Sequence, residues 1–306
     1  MEKAIEVKNL IKSYGNIIAV NDISFCVNKG EFFSFLGING AGKSTTIHSI
    51  TGMHYFESGA IYVNGLDVSK NIEKVKSTIG VVFQNSGLDG SLSVYDNLFY
   101  RGCLYNIDKQ VLKNKIKQLS QILEFSEYLN RPLNKLSGGQ KRKIDLARAL
   151  IHDPEIVILD EPTTGLDPKI RKLMWSYLNE LREERKLTIF LTTHYMEEAA
   201  QSDYIVIIDE GKIVATGTPN ELKEKYTYDY IKVFKHENDL GVLKNVVNQY
   251  DYKMVEDKDY VVIFLPSVKD AKELIIKHPY LFNDFEIYKG DMDDVFLNVT
   301  GKDIGD

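Results

Sequence analysis

The sequence lacks the features that mark secreted or membrane-spanning chains. Its 306 residues include only two cysteines, Cys26 and Cys103, which show no metal-ligand or redox spacing, so we expect a reduced cytosolic protein. The start, Met1–Ile5, has no apolar signal-peptide core. No apolar run approaches the ~18 residues that a membrane helix needs. If the protein works at a membrane, we expect another chain to cross it.

Arginine is absent from the last part of the chain, residues 226–306. This tail holds 10 lysines against 16 acidic residues, which accounts for the whole formal net charge of −6 and leaves residues 1–225 neutral. A phosphate backbone needs a basic face on its protein partner. The composition therefore predicts that the tail does not bind nucleic acid, and we expect no nucleic acid partner.

Short apolar runs separated by helical stretches indicate a parallel sheet that is covered on both faces. Residues 4–36 are instead expected to form antiparallel strands, and the mostly helical pattern after Ser93 predicts an inserted helical subdomain over about residues 93–152. The predicted parallel strands are Thr78–Phe83, Ile156–Leu159, Thr188–Thr192 and Tyr204–Ile208. The pattern favours an α/β domain over residues 1–225.

The tail changes character and is rich in tyrosine. Its order of strand, helix, strand, strand, helix, strand, helix predicts a separate small α/β domain over residues 226–306, with a ferredoxin-like arrangement as one possibility. We expect the tail's aromatic side chains to pack in its core. The predicted tail strands are Tyr228–Phe234, Tyr252–Val255, Tyr260–Leu265 and Phe285–Lys289.

The segment Gly37–Ser44 fits the pattern G-x-x-x-x-G-K-S of phosphate loops. It follows the strand Glu31–Leu36 and opens a helical stretch through Ile50, which is the context that the motif requires. Backbone N–H groups can wrap phosphates here, Lys43 can neutralise the outer phosphates, and the Ser44 hydroxyl can ligate Mg²⁺. The predicted nucleotide-binding residues of this P-loop NTPase segment are Asn39, Gly40, Ala41, Gly42, Lys43, Ser44 and Thr45.

A second apolar strand, Ile156–Leu159, is followed by Asp160 and Glu161. Carboxylates at the carboxyl end of a strand lie in the crevice where open α/β sheets bind ligands. Asp160 is placed to hold Mg²⁺, and Glu161 to orient or deprotonate an attacking water. Helix capping by an acidic pair is the alternative, but Pro162 directly afterwards favours a fixed turn.

The pentapeptide Leu136–Gln140, Leu-Ser-Gly-Gly-Gln, has two interpretations. Ser137 and Gln140 can form a Ser-x-x-Gln capping box at a helix start. That box does not explain Gly138 and Gly139, since two glycines in a first helical turn cost roughly 1 kcal/mol each relative to alanine. Exposed backbone at a helix N-terminus suits an anion. The segment therefore predicts a second phosphate site, separate from the first.

The phosphate loop, Leu-Ser-Gly-Gly-Gln and the apolar strand ending in Asp-Glu, in this order, resemble the ATP-binding subunit of an ABC transporter. The resemblance covers essentially all of residues 1–225 and implies ATP and Mg²⁺ as cofactors. It also implies that Tyr14 stacks on adenine and that Val20 flanks the base. A lone Tyr14 is otherwise more often a packing tyrosine.

The same resemblance implies roles for three polar residues beyond the motifs. Gln84 matches a glutamine that senses Mg²⁺ and water and leads toward the membrane partner, so it is a candidate metal and catalytic residue. His194 matches a histidine that contacts the γ-phosphate and joins Glu161 as a catalytic candidate. Asp167 matches a loop that crosses the dimer interface, although N-capping of the next helix is an equally ordinary role.

In the family that the chain resembles, two nucleotide domains pair head to tail. Ser137, Gly138, Gly139 and Gln140 of one chain then close on the ATP held by the other. The implied partners are a second copy of the chain and an integral membrane permease encoded as a separate chain, which places the protein at the cytoplasmic face of the membrane.

Three segments are similar to the drug-resistance exporter subgroup of this family, which includes the daunorubicin-resistance ATPases. They are Glu161–Pro168, Val82–Asp89 and Asp293–Gly301. The competing function is a soluble ABC ATPase that acts on a non-membrane partner such as the ribosome, and a non-catalytic adaptor is a third class. The cargo is not predicted, because its contacts belong to the membrane chain.

Overall fold

The computed structural model describes residues 2–235 and 240–302, and the chain divides into two units between Thr216 and Gly217. The sequence predicted a division after residue 225. The helix Pro219–Tyr226 packs against the last helix, Met292–Thr300, and this contact groups it with the tail. The functional ranges 1–225 and 226–306 stay a prediction, and residues 236–239 and 303–306 of the second range lie outside the described residues.

The first unit alternates strands and helices after an initial hairpin. Its first elements are β1 (Lys3–Tyr14), β2 (Ile17–Asn28), β3 (Phe32–Leu36), α1 (Lys43–Ile50), β4 (Ser58–Val63), β5 (Leu66–Asp67), α2 (Val68–Thr78) and β6 (Ile79–Val82). There follow α3 (Val94–Cys103), α4 (Lys109–Ile122), α5 (Gly138–Leu150), β7 (Ile156–Asp160), α6 (Pro168–Arg185), β8 (Thr188–Thr193), α7 (Met196–Ala199), β9 (Tyr204–Asp209) and β10 (Lys212–Gly217).

Two sheets build this unit. β2-β1-β4-β5 form an antiparallel sheet, and β10-β9-β3-β8-β7-β6 form a second sheet in which β9, β3, β8, β7 and β6 run parallel. The expectation of antiparallel pairing throughout residues 4–36 is wrong for the last strand. β3 is an entirely buried strand inside the parallel sheet, between β9 and β8, because all of its side chains except that of Ser34 are apolar and they point to both faces.

Alternate residues of the parallel strands enter two separate cores. Phe33, Phe35 and Phe190 pack toward the antiparallel sheet and α1, whereas Phe32 and Leu191 pack toward the helices α3 to α6. Both faces of the sheet are therefore covered, as the apolar runs predicted. Because the strands are parallel, the segments that follow β3, β6, β7 and β8 all emerge at one edge.

The helices α3, α4 and α5 occupy the segment where an inserted helical subdomain was predicted. α3 begins after Ser93, whose side chain accepts a hydrogen bond from the backbone N–H of Asp96. Leu98, Leu112 and Ile144 bury the inner faces of the three helices in one core. No helix among the described residues is long and apolar enough to cross a membrane.

The second unit has the strand and helix order that the tail sequence predicted. Its elements are α8 (Pro219–Tyr226), β11 (Asp229–Phe234), α9 (Leu240–Gln249), β12 (Met254–Glu256), β13 (Tyr260–Leu265), α10 (Val268–Lys277), β14 (Phe285–Tyr288) and α11 (Met292–Thr300). The sheet order β12-β13-β11-β14, antiparallel throughout, is that of a split β-α-β arrangement of the ferredoxin-like type.

The tail's tyrosines do not all pack in its core. Ile231, Ile263 and Leu274 belong to the buried core, and Tyr250 and Tyr252 pack against it. Tyr230 alternates with Ile231 and stacks instead on Tyr288, with ring centroids 5.0 Å apart, on the face of the sheet away from that core. The strand period of two therefore separates the aromatic side chains from the aliphatic core.

Candidate functional site

The phosphate loop lies between β3 and α1, as predicted. Its tip, Asn39 and Gly40, is exposed, whereas Ala41, Gly42 and Lys43 are buried and Ser44 and Thr45 are half-buried. Gly42 has a φ of 108°, and a Cβ atom there would lie 2.6 Å from the carbonyl oxygen of Ala19. Only glycine fits this turn, which directs the first amides of α1 toward the loop.

Lys43 is buried inside the loop. Its Nζ donates to the carbonyl oxygens of Gly37 at 2.7 Å and Ile38 at 3.0 Å, and it lies 3.2 Å from Oε1 of Glu161. Burial lowers the pKa of the Lys43 ammonium, while the Glu161 carboxylate acts in the opposite direction. The Lys43 ammonium, paired with Glu161, thus lies where it could neutralise the outer phosphates of a nucleotide.

Ser44 and Asp160 meet at the start of α1. The Ser44 hydroxyl is 3.4 Å from Oδ1 of Asp160, and the same oxygen accepts a 2.5 Å hydrogen bond from the Thr192 hydroxyl. A hydroxyl and a carboxylate are hard oxygen ligands of the kind Mg²⁺ takes together with substrate phosphates. Among the described residues no group of three or more His, Cys, Asp or Glu side chains could hold a metal alone. The donor set therefore fits a Mg²⁺ ion completed by phosphate oxygens and water.

Glu161 is the centre at which the predicted catalytic residues meet. Its carboxylate lies 3.4 Å from Nε2 of Gln84 and 3.4 Å from Nδ1 of His194, in addition to its contact with Lys43. Glu161 adopts a φ of 46°, an unusual conformation for a non-glycine residue and one found at strained functional sites. The structure thus brings together side chains that follow β3, β6, β7 and β8.

His194 has an unused buried nitrogen. Its Nδ1 makes no hydrogen bond of good geometry within the described part of the chain, and its ring packs on Tyr195 with centroids 4.2 Å apart. Buried polar atoms are nearly always paired in native proteins. A phosphate oxygen or a bound water at this edge of the sheet would satisfy it.

Two buried side chains that the sequence did not single out hold this edge together. Arg142, in the second turn of α5, donates to four backbone carbonyls at or next to Glu161 and next to Gln84. Glu198, in α7, accepts from the hydroxyls of Thr163 and Thr193. No sequence pattern marks them, because Thr163 is 35 residues from Glu198 and the partners of Arg142 are main-chain atoms.

The Leu136–Gln140 segment lies at the start of α5, and the predicted capping box of Ser137 and Gln140 is present. The Ser137 N–H donates to Oε1 of Gln140 at 2.9 Å, and the Gln140 N–H donates to the Ser137 hydroxyl at 3.3 Å. Gly138 and Gly139 differ in their surroundings. A Cβ at Gly139 would lie 2.7 Å from Cδ1 of Ile170, whereas one at Gly138 meets nothing within 4 Å among the described residues. Among the described residues, a contact that explains a glycine is therefore present at Gly139 but not at Gly138.

The other predicted residues lie away from this centre. Tyr14 is 44% exposed, and its hydroxyl is 2.6 Å from Nδ1 of His54. Val20 is fully buried beside Gly42 and presents no exposed surface to a base. Asp167 caps α6 by accepting from the N–H of Ile170, as the ordinary alternative holds. The base-binding roles of Tyr14 and Val20 stay predictions.

Comparison with known proteins gives the family of the chain. A family model described as "ABC transporter" matches residues 20–164. The "Nod factor export ATP-binding protein I" of Cupriavidus pinatubonensis is 32% identical over 304 residues, which cover 99% of this chain and 92% of the relative. The chain belongs to the ABC transporter family. Within the family, the "probable multidrug ABC transporter ATP-binding protein YbhF" of Escherichia coli is 36% identical over 228 residues, which cover 74% of this chain and 39% of that protein.

A solved structure extends the match to the fold of this ABC protein. A dimeric ATP-binding cassette in a post-hydrolysis state bound to ADP and Pi, MJ0796, has a TM-score of 0.66 and 26% sequence identity, with 70% of this chain and 98% of that one covered. The chain is an ATP-binding and ATP-hydrolysing subunit with the α/β fold of ABC ATPases, as the motifs predicted.

Proposed function

We propose that this ABC protein hydrolyses ATP to drive export through a separate membrane-spanning partner, and that it works as a homodimer. The observation that carries the proposal is the convergence of Lys43, Gln84 and His194 on the Glu161 carboxylate, at the sheet edge that also holds the phosphate loop. The names of the relatives, a Nod factor exporter and a multidrug transporter subunit, support export.

Within one active site the residues divide the work of hydrolysis. Ser44 and Asp160 would hold Mg²⁺, with Gln84 at its margin, and the ion would supply charge neutralisation at the phosphates. Glu161 accepts the proton of the attacking water or orients it, and Gln84 fixes that water from the other side. His194 and Lys43 face the charge on the terminal phosphate, which is where preorganised donors contribute most.

A second copy would complete each site. The exposed start of α5 presents backbone N–H groups and a helix dipole, which favour an anion by roughly 0.3–1 kcal/mol when exposed and by more when buried. The open space beside Gly138 supports contact with a ligand from outside the chain. The dimer of MJ0796 with ADP and Pi supports the same arrangement.

The permease would dock beside Gln84. A cleft immediately before this residue is lined by Phe83, Met53 and Leu104, and the last two are 55% and 72% exposed. Exposed apolar side chains of this kind suit a protein partner. A permease seated there would hold the chain at the cytoplasmic face of the membrane. A ribosomal or other soluble partner is not favoured, since the relatives are named for transport.

The substitution Glu161→Gln tests the proposal. It should leave ATP binding intact, lower hydrolysis by at least about 100-fold because a general base is lost, and accumulate an ATP-bound dimer measurable by light scattering. Glu180→Gln on the exposed face of α6 is the matched control and should behave as the wild type. Wild-type turnover in Glu161→Gln would contradict the catalytic role of this carboxylate. A variant that stays monomeric at saturating ATP would contradict the proposed homodimer.

Purification from detergent-solubilised membranes tests the partner. We expect one integral membrane protein to copurify with the chain. Substituting the exposed Leu104 by Glu should reduce its recovery without changing the ATPase activity of the isolated subunit. Recovery with ribosomes and no membrane protein would contradict the transport assignment.

A further inference from the structure

Arg142 has an unusual set of partners. Its guanidinium donates to the carbonyl oxygens of Phe83 at 2.5 Å, Asp160 at 3.0 Å, Glu161 at 2.8 Å and Pro162 at 2.7 Å. Its side chain is only 10% exposed, and one carboxylate, Asp145, lies 3.8 Å away. This buried guanidinium thus donates all four of these hydrogen bonds to main-chain carbonyl oxygens.

The four carbonyls belong to two segments that carry catalytic candidates. Phe83 directly precedes Gln84, and the other three surround Glu161. The side chains of Gln84 and Glu161 approach each other to 3.4 Å, and both residues lie beyond the last pair of the β6–β7 ladder, Val82 with Leu159. A planar group with five donors in a fixed fork can hold two such segments together, which a lysine ammonium cannot reproduce.

The backbone of Glu161 needs this support. Its φ of 46° lies in the left-handed region, which non-glycine residues occupy only where surrounding contacts enforce it. The Glu161 N–H donates to the carbonyl oxygen of Thr192 at 3.0 Å, and the Glu161 carbonyl accepts from the Arg142 guanidinium at 2.8 Å. The residue is therefore held by hydrogen bonds at both its N–H and its C=O.

We propose that Arg142 is a positioning residue for ATP hydrolysis, whose guanidinium fixes the strand ends that carry Gln84 and Glu161 so that both face the same water. The proposal rests on the proposed function of these two residues. Arg142 itself contacts neither the phosphate loop nor its lysine among the described hydrogen bonds and ion pairs. Its loss should therefore reduce kcat and leave ATP affinity nearly unchanged.

Arg148 offers a matched control on the same helix. Its side chain is also 10% exposed, and it too links α5 to β6, by donating to the Val81 carbonyl at 2.8 Å. Its other partner is Asp145 at 2.7 Å, and it donates to no carbonyl of the Asp160–Pro162 segment. Arg142→Lys and Arg148→Lys thus remove similar buried arginines, of which only one reaches the catalytic segments.

The experiment measures kcat, KM, ATP affinity and the thermal midpoint for both variants. We expect Arg142→Lys to lower kcat by about 10- to 100-fold, the effect of small misplacements of reacting groups, with KM and affinity within about 3-fold. Arg148→Lys should lose comparable thermal stability and keep kcat within about 3-fold. If Arg142→Lys fails to fold, Arg142→Gln, which keeps two amide donors, replaces it.

A double-mutant cycle with Gln84→Ala separates positioning from general damage. Since Arg142 acts through Gln84 and Glu161, the kcat loss of the double variant should be smaller than the product of the two single losses. With Arg148→Lys the losses should multiply. Wild-type kcat in Arg142→Lys, or an equal kcat loss in both arginine variants, would overturn the inference, whereas wild-type turnover in Glu161→Gln would instead overturn the proposed function.

Discussion

The two helix starts that offer amides to phosphate differ in what the chain places around them. At the start of α1, Lys43 is buried and paired with Glu161, and Ser44 lies near Asp160. At the start of α5, Ser137 and Gly138 are exposed, and the described residues leave open space beside Gly138. The first anion site combines its amides with a buried ion pair from the same chain, whereas the second combines its amides with open space and with the exposed Lys135 and half-buried Lys141.

The comparison shows that the backbone amides of a helix N-terminus do not by themselves determine its function. The side chains around the helix start decide whether it can bind a phosphate within one chain. Both starts have a helix dipole that favours anions, but a capping box satisfies part of the first N–H groups of α5, whereas α1 has no side-chain cap. The start of α1 also brings together a buried lysine, a hydroxyl and two carboxylates. Substitutions at the start of α1 should therefore reduce both ATP affinity and turnover, whereas those at the start of α5 should reduce turnover alone.

The largest effect is expected at α1. Lys43→Ala removes the cation from the loop and leaves the buried Glu161 carboxylate without that partner. We expect ATP affinity to fall by about 10- to 100-fold, the loss of charge-assisted hydrogen bonds, and turnover to fall by about 1,000-fold. Equilibrium binding of a fluorescent ATP analogue and a phosphate-release assay measure both. Unchanged affinity would show that the loop is not the chain's own nucleotide site.

At α5 the expected loss is confined to turnover. Gly138→Asp places a carboxylate in the open space beside the helix start, where it would repel phosphate. Hydrolysis should fall by about 100-fold, while ATP affinity of the monomer stays within about 2-fold because the loop at α1 is untouched. Ser137→Ala should act in the same direction. Lost affinity in the isolated monomer would contradict an intermolecular role for α5.

A smaller effect separates the two glycines of α5. Gly138→Ala should stabilise the chain by up to about 1 kcal/mol, because alanine favours helix and the space is open, yet it should lower turnover. Gly139→Ala should stabilise the chain less than Gly138→Ala, by up to about 1 kcal/mol, because its Cβ would lie 2.7 Å from Cδ1 of Ile170 and this side chain must move aside. Urea unfolding measures the free energy of unfolding of both variants. Equal stabilisation of both variants would contradict this difference between the two glycines.

The smallest effect concerns the far ends of the same helices. Burial lowers the pKa of His48 in the last turn of α1, and burial lowers the pKa of His152, just beyond α5, to about 4. The unfolded chain takes up this proton near pH 6.5, so between pH 6.5 and 4 it binds more protons than the folded chain, and stability falls as the pH drops.

For His152 this loss should be about 1 kcal/mol after allowance for its partial exposure. Urea unfolding at pH 7.5 and pH 5 measures it. His152→Gln should flatten the dependence and preserve turnover at pH 7.5. If the free energy of unfolding of wild type and variant changes equally with pH, other groups and not His152 are responsible for the dependence.

The local motifs could be predicted from the sequence because the residues that meet are close along the chain or follow parallel strands. Gly37–Ser44, Asp160 and Glu161 needed only the rule that parallel strands end at one edge. Gln84 and His194 came from resemblance, and the structure brings both to Glu161. The ABC fold and its ATPase chemistry followed from these segments.

The remaining features depend on pairing across long stretches of chain. The pairing of β3 with β8 and β9 could not be read from its own apolar residues, because a buried strand looks the same in either kind of sheet. Arg142 binds main-chain atoms, which leave no sequence pattern. The prediction that the tail's aromatic side chains pack in its core is wrong for Tyr230. Strand alternation places this side chain on the opposite face of the sheet from Ile231, where it stacks on Tyr288.

The two cysteines provide native positions for optical probes. Cys26 lies in β2 of the antiparallel sheet and Cys103 ends α3 of the helical segment, and both thiols are free and exposed. A donor and acceptor dye pair attached there would report the distance between these layers without engineered residues. Changes in energy transfer during the ATP cycle would then follow the helical segment in real time, with Cys26→Ser and Cys103→Ser as single-label references.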